Sequence, residues 1–270
     1  MEFSQIRVIA AKEFRDRIRN RWVLAVALVF TVFALVIAYF GSAEHGAVGF
    51  RSIEVTIASL VSLVIYLLPL IALMLGYDAI VGERERGSLD LLLSLPITRL
   101  ELLAGKYLGL AAALATSTLA GFGLVGVVLS PQLDFGGLLH YAGFMASAIF
   151  MGMAFLSMAV AVSVIAADRT RASGLAIMLW FFFVLAFDLL LLGALVAGGG
   201  DGVGAVLPYL LLLNPADVFR ILNIFGMVDI RTAYGLATVF PQALASPWLL
   251  GGVMGFWVVT PLAAALWRFK

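Results

Sequence analysis

Charge is scarce in this chain, and much of it is bunched. Glu83, Arg84, Glu85, Arg86, Asp90, Arg99, Glu101 and Lys106 all fall in residues 82–106, GERERGSLDLLLSLPITRLELLAGK. None of the familiar catalytic arrangements is among them. A phosphate-binding loop needs G-x-x-x-x-G-K-[ST]; here Gly105-Lys106 is followed by Tyr107, and position 100 is Leu. His45 and His140, without a cysteine in the chain, make a poor metal pair. Met145, Met151, Met153 and Met158 are soft donors, but only Met151 and Met158 share a helical face, which suits core filling better than metal binding. No catalytic residue, no metal site and no cofactor of this chain's own is expected. What the stretch can do is grip a protein. Leu91, Leu92 and Leu93 form a short apolar patch beside the charged Glu83, Arg84, Glu85, Arg86 and Arg99. An apolar centre with a charged rim is the make-up of an interface.

Two acids lie inside apolar runs, where charge is costly and suggests a function. Asp78 is four residues from Gly82 and reads as reaching the membrane surface. Asp188, between Phe187 and Leu189, reads equally well as a structural acid facing another helix or as part of a polar path.

The elements that hold these residues are helices in lipid. The 270 residues are 63% hydrophobic and 12% charged, with mean hydropathy +1.10, against about 25% charged for soluble domains. A membrane barrel would alternate over ten-residue segments, and no such pattern is seen. The expectation is an all-α polytopic membrane protein, one permease-like domain over 1–270, with spans at 22–40, 55–81, 102–129, 138–167, 172–197 and 248–267. Each is near the ~20 residues that cross a bilayer. Pro69 interrupts the second. Gly105/Gly109 and Gly251/Gly255 suit close packing within the chain.

Residues 3–21 are predicted to form an interfacial amphipathic helix. Phe3, Ile6, Ala10, Phe14 and Ile18 make one stripe, with Lys12, Arg15, Asp16 and Arg19 opposite. Charges continuing to Arg21 argue against a cleavable signal peptide. Of the 17 lysines and arginines, only Arg51, Arg220 and Arg231 fall on the far side of this topology. The positive-inside rule then places both termini and residues 82–106 in the cytoplasm. The net charge of +1 gives no footing for nucleic acid.

Residues 198–247 form the long outer connection. Gly198, Gly199 and Gly200 read as a joint, and Asn214-Pro215 as a helix start. Two short re-entrant or surface helices are predicted. Asp217, Arg220 and Asn223 recur at spacing three, a polar face free to dock a periplasmic partner, with Phe219 or Phe225 as anchor.

This pattern resembles the type-two ABC transporter permeases. Glu83 and Glu85, Gly87-Ser88-Leu89, Leu91 to Leu93, Pro96, Arg99 and Gly105-Lys106 match that family's first cytoplasmic loop. The resemblance implies a coupling helix that docks on a separate cytosolic ABC ATPase, which carries ATP-Mg. SLVSLVIYLLPLIALMLGYDAIVGE, WFFFVLAFDLLLL and LLLLNPADVFRILN are similar, more closely, to permeases serving nitrous oxide reductase maturation. That likeness implies a homodimer in the inner membrane, a NosF-like ATPase dimer inside, a NosD-like periplasmic protein outside, and a role in copper-site assembly. A copper chaperone is a further candidate partner. Without cysteine or a convergent Met/His series, mechanical transmission fits better than copper passage. An exporter of lipid, drug or sodium, or a non-transporting scaffold, remains an alternative.

Overall fold

The computed structural model describes residues 3–19, 21–40, 53–132, 134–197, 201–224, 244 and 246–269. His45, Arg51, Gly198 to Gly200, Phe225 and Arg231 lie outside them. The described residues are mostly helical, joined by short turns, with no strand among them. In order the helices are α1 (Phe3–Arg19), α2 (Trp22–Phe40), α3 (Ile53–Gly76), α4 (Val81–Glu85), α5 (Ser88–Leu93), α6 (Arg99–Leu129) and α7 (Phe135–Ile165). Then follow α8 (Arg169–Ala197), α9 (Asp201–Leu211), α10 (Pro215–Ile224) and α11 (Pro247–Arg268). Five of the described segments are long and apolar enough to span a bilayer: Ile57–Glu85, α6, α7, α8 and α11. The bent pair Phe3–Arg19 and Val23–Ile37, meeting at 62°, gives a sixth candidate. Arg21 takes the turn between them with φ +55°.

Local chemistry fixes where the spans start. Thr98 and Glu101 form a capping box on α6, each satisfying the other's backbone N–H. Asp134 accepts from Gly137 N at 2.8 Å ahead of α7, and Asp168 from Arg171 N at 2.7 Å ahead of α8. Pro261 interrupts α11 and cannot donate to the carbonyl four residues back; Ser157 Oγ supplies that hydrogen bond to Trp257 O at 3.1 Å.

Helix α7 runs through the middle, flanked by α3, α6 and α11. Phe122, Tyr141, Phe144 and Phe155 are wholly buried there. Lipid gives no hydrophobic drive between helices, so close backbone approach matters most. Glycines on α6 provide it: a Cβ on Gly105 would lie 2.7 Å from Ile9 Cβ, on Gly109 2.6 Å from Ala10 O, and on Gly121 2.6 Å from Phe30 Cβ. The expected intrachain packing of Gly105/Gly109 is therefore against α1. The other pair differs from expectation. Gly251 faces open space, and Gly255 has only Phe150, at 3.8 Å. The inward side of α1 is Ile9, Ala10 and a buried Glu13, while Phe3 and Ile18 of the apolar stripe stay exposed.

Candidate functional site

The site begins where α3 stops. After Gly76, whose Cβ position is only 2.8 Å from Ala159 Cβ, residues 77–80 turn and α4 starts afresh. A new helix start exposes backbone N–H groups. Ser163 of α7 takes two of them, Ile80 N at 2.9 Å and Val81 N at 3.0 Å. Gly87, at φ +70°, then reverses the chain in a left-handed conformation that glycine adopts without Cβ strain. Ser88 Oγ donates to the Glu83 carboxylate across this turn. The result is a compact two-helix element, α4 and α5.

Polar contacts wire this element into the bundle on several sides. Lys106 Nζ, 5% exposed on α6, donates to Glu83 Oε1 at 3.0 Å and to Glu13 Oε2 on α1 at 3.3 Å. Arg17 reaches Glu13 at 3.2 Å and Asp78 at 3.8 Å, and Asp78 also pairs with Arg169. Arg169 N donates to Glu85 Oε1 at 2.7 Å. Arg84 caps the end of α7, donating to Val164 O at 3.1 Å and Ala166 O at 3.0 Å. A polar cavity of about 350 Å³ sits at the centre of this charge cluster, lined among others by Lys12, Arg17, Asp78, Glu83 and Lys106. Unpaired charges in such a place would be strongly unfavourable, and Glu13, Arg17, Asp78, Glu83, Lys106 and Arg169 each have an opposite partner.

The apolar patch is divided by helical geometry. Leu89 is buried, so Leu92 and Leu93, three and four residues on, turn inward and pack against the core. Leu91 stays 71% exposed and Leu95 54%. The expected outward patch of Leu91, Leu92 and Leu93 is thus corrected to Leu91 and Leu95, beside exposed Arg86 and Asp90. Arg99 is tied to the end of α11, donating to Phe269 O at 3.3 Å. Gln5 Nε2 donates to Pro96 O at 3.3 Å, so both termini lie at this end of the bundle.

The other polar cluster lies around Asn214. Helix α10 starts at Pro215, with Asn214 Oδ1 accepting from Ala216 N at 3.0 Å, as the Asn-Pro pair predicts. The helix does not point outward. Phe219 is fully buried, 6.0 Å from Phe144 between ring centres, and Asp217 is 1% exposed. Asn214 Nδ2 donates to Asp217 Oδ2 at 2.9 Å and to Phe183 O at 2.8 Å. Phe183 belongs to a π-helical turn in α8, Phe182–Ala186, where the hydrogen-bond register is widened. Arg220 pairs with Asp217 and, at 3.0 Å, with Asp188 on α8. Asn223 Nδ2 donates to Ser147 Oγ at 3.0 Å. Burial pushes the Asp217 carboxyl up, and the Arg220 guanidinium beside it pulls the other way. The outward docking face expected of Asp217, Phe219, Arg220 and Asn223 is therefore corrected. Asp217, Phe219 and Asn223 are buried, Asp217 satisfied by Asn214 and Arg220 and Asn223 by Ser147 of α7. Only Arg220 is partly exposed. Asp188 of α8 accepts from Arg220 of α10 at 3.0 Å.

Residues 7–270 match the family model described as "ABC-2 family transporter protein". This chain belongs to the ABC-2 transporter family. Two relatives, from Pseudomonas aeruginosa and Stutzerimonas stutzeri, both bear the name "Probable ABC transporter permease protein NosY". The first is 46% identical over 269 residues, covering 97% of this chain and 96% of its own length. The second is 44% identical over 253 residues, covering 91% and 92%. Family and spans together make this a multi-pass membrane permease, and membership in an ABC family implies an ABC ATPase as partner.

Sequence reasoning missed Glu13, Arg17, Asp78 and Arg169 as parts of the charge cluster around α4. One signal was present: Glu13 lies on the opposite side of α1 from most of its basic neighbours, near the glycine pair that admits α1 to α6.

Proposed function

We propose that this chain couples a cytosolic ABC ATPase to a periplasmic partner in copper-site assembly of nitrous oxide reductase, by mechanical transmission. The observation that carries the reading is the connection of α4 and α5. Two leucines and a charged rim are presented outward, while the same short element is bonded to α6, α7 and α8, and Lys106 of α6 carries the contact on to Glu13 of α1. A push on Leu91 and Leu95 is passed to three helices directly, and through Lys106 to α1, by hydrogen bonds and ion pairs. This end, with both termini, is the cytoplasmic one on the charge distribution. The NosY name of the two relatives supports the maturation role. The absence of cysteine and the burial of Met151 and Met158 in the core favour transmitted motion over a copper path through this chain.

The chain works as a homodimer in this reading. In α8, 11% of the most apolar window is buried, against 72% in α7, so α8 offers a face for a second copy. The test of coupling is a comparison of leucines. Leu91→Asp with Leu95→Asp is expected to abolish co-purification of the ATPase at unchanged permease yield. Leu92→Asp, which places a charge in the core, is expected to lower the yield instead. Retention of the ATPase by the Leu91/Leu95 variant removes the coupling role from α5.

A further inference from the structure

Near the bundle end that carries both termini, α6 and α11 separate and leave a groove of about 350 Å³. Its walls include Leu100, Leu103, Tyr107, Val259, Leu262 and Leu266. Tyr107, the one polar side chain among these, donates its hydroxyl to Met153 O at 3.0 Å and leaves only its ring for the groove. Val259 is 62% exposed and Leu108, also in the wall, 47%, so the groove opens to the outside of the bundle.

The chain positions at the groove's terminal end carry charge. Arg99 immediately precedes Leu100, and Arg268 follows Leu266 by two residues. Both are exposed, and among the described residues neither forms an ion pair with a carboxylate, unlike Arg17, Arg169 and Arg220. Arg99 is held by its single bond to Phe269 O, which joins the two helices at this end. Trp267, 76% exposed, lies between Leu266 and Arg268 in the chain, and indole rings favour the membrane interface.

We infer that this groove is a binding site for an anionic phospholipid, with an acyl chain along α6 and α11 and the phosphate between Arg99 and Arg268. An apolar channel with no hydrogen-bonding wall accepts a hydrocarbon tail. Two arginines without acidic partners among the described residues select a negative headgroup, as basic pockets between spans do. The guanidinium fork matches phosphate oxygens and still has free donors after Phe269 O is served. The site stands apart from the coupling element and does not depend on the ATPase reading.

The test uses the full-length permease in mild detergent, titrated with phosphatidylglycerol or phosphatidylcholine of the same acyl chains. Lipid retained per chain is read by native mass spectrometry. Phosphatidylglycerol is expected to bind about tenfold more tightly or better, from two arginines at the surface. Arg99→Gln with Arg268→Gln is expected to bring the ratio to about one, and Leu262→Trp to remove retention of both lipids. Arg268→Gln alone, an exposed change, is expected to give an intermediate ratio and guards against misfolding of the double variant. Arg171→Gln, an exposed arginine paired with Asp168, is expected to leave the ratio unchanged. Equal retention of the two lipids by the unaltered chain overturns the proposal, as does a preference that survives the double variant. Cross-linking of two copies through cysteines at 259 and 263 also overturns it, by giving the groove to a second chain.

Discussion

Lys106 sits between Glu13 and Glu83 near one end of the bundle, and Arg220 between Asp217 and Asp188 in the other cluster. Each is one cation held by two acids, yet they are built for different duties. The lysine is 5% exposed and its acids 11% and 14%, and it joins three separate helices. The arginine is 37% exposed and Asp188 38%, with only Asp217 buried, and it joins two. A triad with all three members largely buried, even beside a polar cavity, resists change in any one of them. A half-wet triad lets water replace a lost partner. The first suits an element that must move with its neighbours, the second a seam that fixes α10 against α8.

Three substitutions test that contrast, from the largest expected effect down. Lys106→Met takes the shared cation from Glu13 and Glu83, which keep Arg17 and Arg86, so the loss is expected at the lower end of the about 3–5 kcal/mol that a broken buried pair costs. Thermal unfolding of the purified chain is expected to show that loss. Adding Glu13→Gln and Glu83→Gln to the same chain is expected to recover much of it. An unchanged melting temperature in Lys106→Met means the triad adds nothing to stability. Arg220→Met is expected to cost about 2 kcal/mol, because exposure screens half the cluster. In that background Asp217→Asn is expected to restore part of the loss, since the neutral amide needs no counter-charge. Equal losses for Lys106→Met and Arg220→Met would erase the distinction between the two ends. Asn214→Ala is expected to cost about 1 kcal/mol by leaving Phe183 O without its donor. Its sharper readout is faster hydrogen exchange in residues 182–186; unchanged exchange there means the π turn stands without Asn214.

The spans were legible because a run of about 20 apolar residues has few other uses. The start of α10 was legible because Asn caps and Pro at the first position act locally. What stayed hidden was nonlocal. Periodicity shows that Asp217, Arg220 and Asn223 share a face, but not that Asp188 lies opposite, 32 residues before Arg220, or Ser147, 76 before Asn223. Glu13 and Lys106 are 93 residues apart, and nothing in either neighbourhood names the other. The π turn falls in WFFFVLAFD, with no Pro or Gly to mark it. The two halves of the leucine patch were separable in principle, since the helical period places Leu89, Leu92 and Leu93 together and leaves Leu91 out. The glycine pairs teach the same limit. Both have the spacing for close approach, and only the one on α6 meets a backbone.

The seat of α1 on α6 also sets a schedule. Glu13 leaves the ribosome 93 residues before Lys106. At about 5–20 residues per second, the first helix waits roughly 5–20 s for the surface that will hold it. During that interval its exposed Phe3 and Ile18 have only the membrane interface to rest on, and its carboxylate keeps its water. The amphipathic stripe thus has a use in time as well as in space: it parks the N-terminus at the bilayer until Gly105 and Gly109 arrive.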